Sequence, residues 1–368
     1  IAANTACHLI SVIGKDDDAK AIKKLCKELK SLTFDLVVDR KRPTTKKVRF
    51  VSENQQILRV DSESTAKIEK SIEAKILNLF KQKIKEVGVV VISDYDKGML
   101  SKSLIKKIIT ISNNKKKIII VDPKKEDFSF YENATIITPN LKELFLAAKS
   151  FSVKKEEGIE SLSKKIINAF SFQAVVTTKS SDGIMLVEKD KKSFNFPSKA
   201  KEVFDVSGAG DTVVSYIASE LSNKKDLITS VKTANKAAGI AVGKFGTAVV
   251  TRNELKTSDK TNLDKISTLE EVLSNLKSKE NMKKIIGFTN GCFDLIHQGH
   301  IDYLKKARSK CDLLILALNS DLSVRKIKGS SRPIINEKER SILLSNFEFI
   351  DKIVIFNEPT PLKIINKI

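Results

Sequence analysis

Short apolar runs rich in β-branched residues alternate along the chain with longer stretches in which apolar positions recur at helical spacing. The first are VGVVVISD (Val87 to Asp94), KKIIIVDP (Lys116 to Pro123) and ATIITPN (Ala134 to Asn140), and AVVTTK (Ala174 to Lys179) continues the series. Apolar strands bounded by polar turns and separated by helices are the signature of βαβ units around a parallel sheet. One stretch differs. Between Asp35 and Asp61 apolar and polar residues alternate with period two, which predicts antiparallel strands with one wet face, a flap or lid on the main sheet. From Thr251 to Lys284 the pattern loosens into a polar stretch free of Gly and Pro. Thr268 and Glu271 form a capping box there, so the stretch is expected to end in a helix. A second α/β unit opens at Lys284 with IIGFTN, followed by a loop, a helix and the strand DLLILALNS (Asp312 to Ser320). The expected organisation is therefore one domain over residues 1–252, a linker over 253–283 and a second domain over 284–368.

The length of 368 residues agrees with about two domains. No apolar run approaches the roughly 20 residues of a spanning helix, and 18 Phe with abundant Ile, Leu and Val supply ample core material, which excludes a disordered chain. The net charge of +21 suggests nucleic acid, but the lysines are spread in pairs and triplets along the whole chain rather than gathered with stacking aromatics. Neither a nucleic-acid nor a membrane partner is expected. The four cysteines form no CxxC pair and have no histidine at zinc-ligand spacing, so reduced thiols are expected. The opening IAANTACHLI has neither a basic leader nor a processing site, and the chain reads as a cytoplasmic fragment.

Two constellations carry chemistry. In FDVSGAGDTVVSYIASEL (Phe204 to Leu221), Gly208, Ala209, Gly210 and Asp211 open a run of helical period. Small residues at a helix start let backbone N–H groups approach an anion, and a carboxylate beside such an anion hole can take the proton of an attacking hydroxyl. An isolated GxGD would read equally well as a turn with a helix-start Asp. Upstream, Asn140, Leu141, Lys142 and Glu143 pass from a strand into a helix, with Asn140 and Glu143 on one face, where they could hold nucleotide phosphates and a hydrated Mg²⁺, Glu143 through water. Downstream, the small residues of TANKAAGIAVGKFGT (Thr233 to Thr247), with Asn235 and Gly239, suit a wall along a flat adenine; close helix packing would explain them as well. The second constellation is FTNGCFDLIHQGHIDYLKKA (Phe288 to Ala307). His297 and His300, three apart at a helix start, can both face the charge that builds at an attacked α-phosphorus, while Gly299 keeps the backbone close.

The first set of motifs, in this order, resembles the ribokinase-like sugar kinases. Within them PTTKKVRFVSENQQILRVD (Pro43 to Asp61) and ISDYDKGML (Ile92 to Leu100) resemble the D-glycero-β-D-manno-heptose 7-phosphate kinases. That resemblance implies a lid closing over a phosphorylated sugar, with Lys46, Arg49, Asn54, Gln55, Arg59, Asp61 and Lys97 as candidates; a solvated strand face is the alternative for each. The second set resembles the cytidylyltransferase-like nucleotidyltransferases, narrowed by NSDLSVRKIKGSSRPIINEKER (Asn319 to Arg340) to the heptose 1-phosphate adenylyltransferases. It implies Thr289, Asn290 and Phe293 in a nucleotide loop and Lys328 and Arg332, with Arg340 behind them, at phosphates. Together the two matches resemble the bifunctional heptose 7-phosphate kinase and heptose 1-phosphate adenylyltransferase of Gram-negative bacteria. The implied fold is α/β, a ribokinase-like domain with a β lid followed by a Rossmann-like HxGH nucleotidyltransferase domain. The implied cofactors are ATP and Mg²⁺, the substrates heptose phosphates, the product ADP-heptose for the lipopolysaccharide core, and homo-oligomers are allowed. Another sugar kinase fused to a cytidylyltransferase, or a basic nucleic-acid-binding protein with decayed nucleotide sites, are the rival readings. Against the family pattern, the strand CHLISVIGKDD follows AANTA without the expected helix, and a late Ser/Thr-rich motif would lie beyond Ile368. An incomplete sugar floor and a truncation at both ends are therefore expected.

Overall fold

The structure is a computed structural model that describes residues 1–52, 55–151, 157–198, 200, 203–244, 246–259, 262–277, 283–358 and 360–368. Contacts divide the chain into two units, Ile1–Leu255 and Lys256–Ile368.

In the first unit the elements run β1 (Cys7–Ile13), α1 (Asp17–Glu28), β2 (Leu32–Val38), β3 (Lys46–Ser52), β4 (Gln55–Ser62), α2 (Lys70–Lys83), β5 (Val89–Ser93), α3 (Lys102–Asn114), β6 (Ile118–Asp122), β7 (Ile136–Ile137), α4 (Leu141–Ala148), α5 (Ile159–Phe170), β8 (Ala174–Thr178), β9 (Ile184–Glu188), β10 (Phe194–Phe196), α6 (Ala209–Ser222) and α7 (Leu227–Ala241), and the division between the units falls within α8 (Arg252–Asp259). The main sheet has the order β10-β9-β8-β7-β6-β5, parallel from β5 to β8 and antiparallel at β9 and β10. Alternate residues of its strands enter different cores. Ile119, Val121, Ile137 and Val175 pack with α3, α4 and α5, whereas Ile120, Ile136, Ala174 and Val176 pack with α6 and α7. Burial of both faces explains why these strands are nearly all apolar.

The period-two stretch divides. Its start is not part of a lid: β2 pairs in parallel with β1, residue for residue from Cys7↔Leu32 to Ile13↔Val38. Only β3 and β4 form the expected antiparallel hairpin. A half-covered parallel strand alternates just as a wet hairpin does, which is why the pattern could not separate them.

In the second unit α9 (Leu269–Leu276), β11 (Ile286–Gly291), α10 (Gln298–Arg308), β12 (Leu313–Asn319), α11 (Asp321–Lys328), α12 (Glu337–Ser345), β13 (Lys352–Phe356) and α13 (Leu362–Ile365) build a parallel sheet of order β11-β12-β13. Every residue of β12 is buried, with Leu314, Leu316 and Leu318 in one core and Leu313, Ile315 and Ala317 in the other. The stretch 253–283, expected as a linker, is largely structured. Val272 of α9 belongs to the second core, Ile266 bridges Ile353, and the Ser267 N–H bonds to Ile353 O at 2.9 Å. Thr268 and Glu271 do cap α9 reciprocally. Among the described residues no helix is long and apolar enough to cross a membrane.

Candidate active sites

The carboxyl ends of β5, β6 and β7 converge on the start of α6, the usual place for a ligand in an open α/β sheet. Gly208 caps α6 in the left-handed region, at φ 79°, which an L side chain rarely adopts. A Cβ there would meet nothing nearer than 3.9 Å, and one at Gly210 would meet nothing within 4 Å. No protein atom therefore demands glycine at Gly210; the space in front of it is open for an anion. The Ala209 N–H is already engaged by Val206 O at 3.3 Å, so it is the weakest of the three expected donors.

Asp211 follows in the first turn of α6, exposed, and its Oδ1 accepts a 2.7 Å hydrogen bond from the Tyr95 hydroxyl. Beside it Asp122, at the end of β6, is pushed up to about 7 by burial and then by the negative charges of Asp211 and Glu143, with Thr138 and Lys124 opposing. These three carboxylates thus share one electrostatic environment. Neither Tyr95 nor Asp122 was singled out in the sequence, because their partners are remote along the chain.

Asn140 and Glu143 cap α4 reciprocally: Asn140 Oδ1 accepts the Glu143 N–H at 2.9 Å and Glu143 Oε2 the Asn140 N–H at 3.0 Å. The remaining oxygen, Glu143 Oε1, lies 3.4 Å from Lys124 Nζ. Leu141 and Lys142 form the first turn. Among the described residues no group of three or more His, Cys, Asp or Glu side chains is arranged to hold a metal. An acid-rich groove without a closed cage fits a Mg²⁺ that arrives on nucleotide phosphates and keeps most of its water. The expected adenine wall is mostly helix packing. Ala234, Ala237 and Ala241 are buried in the core that α7 shares with α6, and buried Asn235 donates from Nδ2 to Pro197 O at 2.8 Å, leaving Gly239 half-buried on the same helix.

On the hairpin, Arg49 and Arg59 stand directly opposite each other, and Lys47 opposite Asp61. Arg59 Nε reaches Asp61 Oδ1 at 2.9 Å, and Lys47 bonds to Asp61 and Glu63. Lys46 is paired with Asp18 at 2.7 Å and Lys97 with Glu63. Asn54 lies outside the described residues, as does the side chain of Gln55.

In the second unit a cleft of about 730 Å³ is lined by Asn290, Phe293, His297, His300, Tyr303, Lys328 and Arg332 among others. The fold brings together nearly all the residues expected there. His297 is the N-cap residue of α10, and its ring centroid lies 4.0 Å from that of His300, which in turn is 5.2 Å from that of Phe293. Burial, then His297 and Lys328, lowers the His300 pKa below the ordinary histidine value. His300 Nδ1 accepts the His297 N–H at 3.4 Å, which assigns the proton of the neutral ring to Nε2. Gly299 serves the side chain more than the backbone: a Cβ there would come within 3.1 Å of His297 Cε1. Thr289 is buried, sharing a 2.7 Å hydrogen bond with the Tyr303 hydroxyl, a lining residue the motif did not single out.

Arg332 Nη1 donates to Asp294 Oδ2 at 2.7 Å, and the Ile334 and Ile335 N–H groups donate to Oδ1. Burial pushes the Asp294 carboxyl up, but Arg332 and these N–H groups outweigh it and hold the group below its usual value. Arg340 is not at a phosphate. Its side chain is fully buried, bonding to the carbonyls of Ile335, Cys292 and Asn319 and to Asp321 Oδ1 at 2.6 Å. Four of the five guanidinium N–H donors are engaged within the protein and the side chain has no exposed surface, so it does not face a ligand.

Residues 4–253 match the pfkB family of carbohydrate kinases and residues 288–368 the cytidylyltransferase-like family. The chain is 38% identical over 373 residues to the bifunctional protein HldE of Paramagnetospirillum magneticum, covering 99% of this chain and 76% of that protein. It is 40% identical to that of Campylobacter jejuni subsp. doylei over 358 residues, covering 97% and 75%. Among solved structures, ribokinase from Thermotoga maritima superposes with a TM-score of 0.57 at 20% identity, covering 69% of this chain and 82% of that one, a likeness of fold alone. By these matches the chain belongs to the HldE family of bifunctional enzymes, which join a heptose kinase to an ADP-heptose adenylyltransferase serving the lipopolysaccharide core.

Proposed function

We propose that Asp211 is the base of the heptose kinase and that His297 and His300 stabilise the transition state of the adenylyltransferase. In the first reaction Asp211 takes the proton of the anomeric hydroxyl of heptose 7-phosphate. That oxygen bonds to the γ-phosphorus of ATP, and the bond to the departing ADP breaks, giving the 1,7-bisphosphate. The N–H groups of Gly208 and Gly210 and the dipole of α6 receive the charge on the transferring phosphoryl group. Mg²⁺, held through water by Glu143 with Asn140 beside it, would neutralise charge on the ATP phosphates when bound. Asn140 to Glu143 then face the nucleotide, and α7 with Asn235 and Gly239 backs it. Arg49 opposite Arg59 is a like-charge pair, unfavourable by itself, and a dianionic sugar 7-phosphate between the two relieves it; Lys46 and Lys97 add positive charge for the same phosphorylated sugar.

In the second reaction an oxygen of heptose 1-phosphate attacks the α-phosphorus of ATP, and pyrophosphate leaves. His300, neutral with Nε2 protonated, and His297 beside it donate to the oxygens that gain charge. Thr289, Asn290 and Phe293 form the nucleotide side of the cleft, and Lys328 and Arg332 its phosphate side. Four free cysteines suit a reducing compartment, and we place the enzyme in the cytoplasm.

The observation that carries the reading is the pair of anion-ready helix starts, α6 and α10, each with its reactive side chains in the first turn or at the cap. The test is product identification by mass spectrometry after ATP is supplied with heptose 7-phosphate or, separately, with heptose 1-phosphate. The reading expects the bisphosphate and ADP in the first case and ADP-heptose with pyrophosphate in the second. ATP hydrolysis with the sugar unchanged in both would overturn it.

A further inference from the structure

An exposed carboxylate on a short stem visits several rotamers, whereas a base must hold one oxygen at hydrogen-bonding distance from the hydroxyl it deprotonates. Asp211 is exposed on α6, and nothing in its own helix orients its side chain. The contact that does so comes from 116 residues away, where Tyr95 donates to Oδ1 at 2.7 Å. Tyr95 lies just beyond the end of β5, in the loop that leads to α3. More than half of the residue is exposed, at 54%, and its hydroxyl meets Asp211 at the surface. Burial first, then the bond to and charge of Asp211, push that hydroxyl up to about 12. At neutral pH it therefore keeps its proton and meets the carboxylate as a donor.

From this geometry we infer that Tyr95 is a positioning residue of the kinase. Its hydroxyl occupies Oδ1 and turns Oδ2 towards the acceptor hydroxyl. The inference rests on Asp211 as the base.

Since the ring is not core material, Tyr95→Phe removes the hydroxyl with little change in packing. In the full chain this variant should lower kcat for phosphorylation of heptose 7-phosphate about 10- to 100-fold, the worth of one hydrogen bond to a charged group. KM values for ATP and the sugar should stay within about twofold, so that the loss falls on kcat. ADP-heptose formation from heptose 1-phosphate should be unchanged. Near-normal kcat in Tyr95→Phe, or a loss confined to KM, while Asp211→Asn is inactive, would overturn the role of Tyr95 alone. An active Asp211→Asn would overturn the base assignment and this inference with it.

Discussion

At the end of β6, burial and the neighbouring charges of Asp211 and Glu143 raise the Asp122 carboxyl to about 7. An unfolded Asp releases its proton near 3.8, so between about pH 4 and pH 7 the folded chain holds a proton that the unfolded chain has lost. Stability then falls as pH rises through this window, and above about pH 7 the full destabilisation is present. Asp122→Asn cannot acquire the charge. Urea unfolding without nucleotide or divalent cation should show the variant more stable than wild type at pH 8 and nearly equal to it at pH 4; an equal difference at both pH values would refute the assignment. Asp211, His297 and His300 could be named as candidates from the sequence, since the motif that suggests each role spans only a few residues. Tyr95, Asp122 and Tyr303 were not legible, because what gives them meaning is a neighbour brought by the fold.

Among elements, the same distinction separates β5 to β8 from β2. Strands covered on both faces announce themselves by continuous apolar runs, whereas β2, with one face partly wet, alternates like the true hairpin β3–β4. The capping boxes on α4 and α9 reflect residue spacing alone: the sequence identified Thr268 and Glu271 as a cap but gave Asn140 and Glu143 only a ligand role. Arg340 on α12 shows the limit of motif spacing. From the chain it belongs with Lys328 and Arg332, but its fork ties α12 to the ends of β11 and β12 and to the start of α11. Arg340→Met would leave Asp321 without its cation and three carbonyls without their donor, and should destabilise the second unit by about 3 kcal/mol or more. Chemical unfolding followed by a probe in that unit checks this, and a variant within about 0.5 kcal/mol of wild type would contradict the structural role.

The whole molecule joins two families in one chain, and the order of its motifs made that organisation readable before any coordinates. The boundary was less readable. A polar stretch without Gly or Pro looks like a linker, yet Ile266 bridges to Ile353 and Leu269, Val272 and Leu276 of α9, at helical spacing, pack into a core of the second unit. On the proposed roles, the starts of α6 and α10 serve two separate transition states with different reactive groups, and the activities should be separable. The most direct test assays both half-reactions on Asp211→Asn and on His297→Ala in the full chain. Asp211→Asn should lose at least about 10²-fold in heptose phosphorylation and keep adenylylation; His297→Ala should lose on the order of 10²-fold or more in ADP-heptose formation and keep the kinase. A folded variant in which either substitution disabled both reactions would contradict the account.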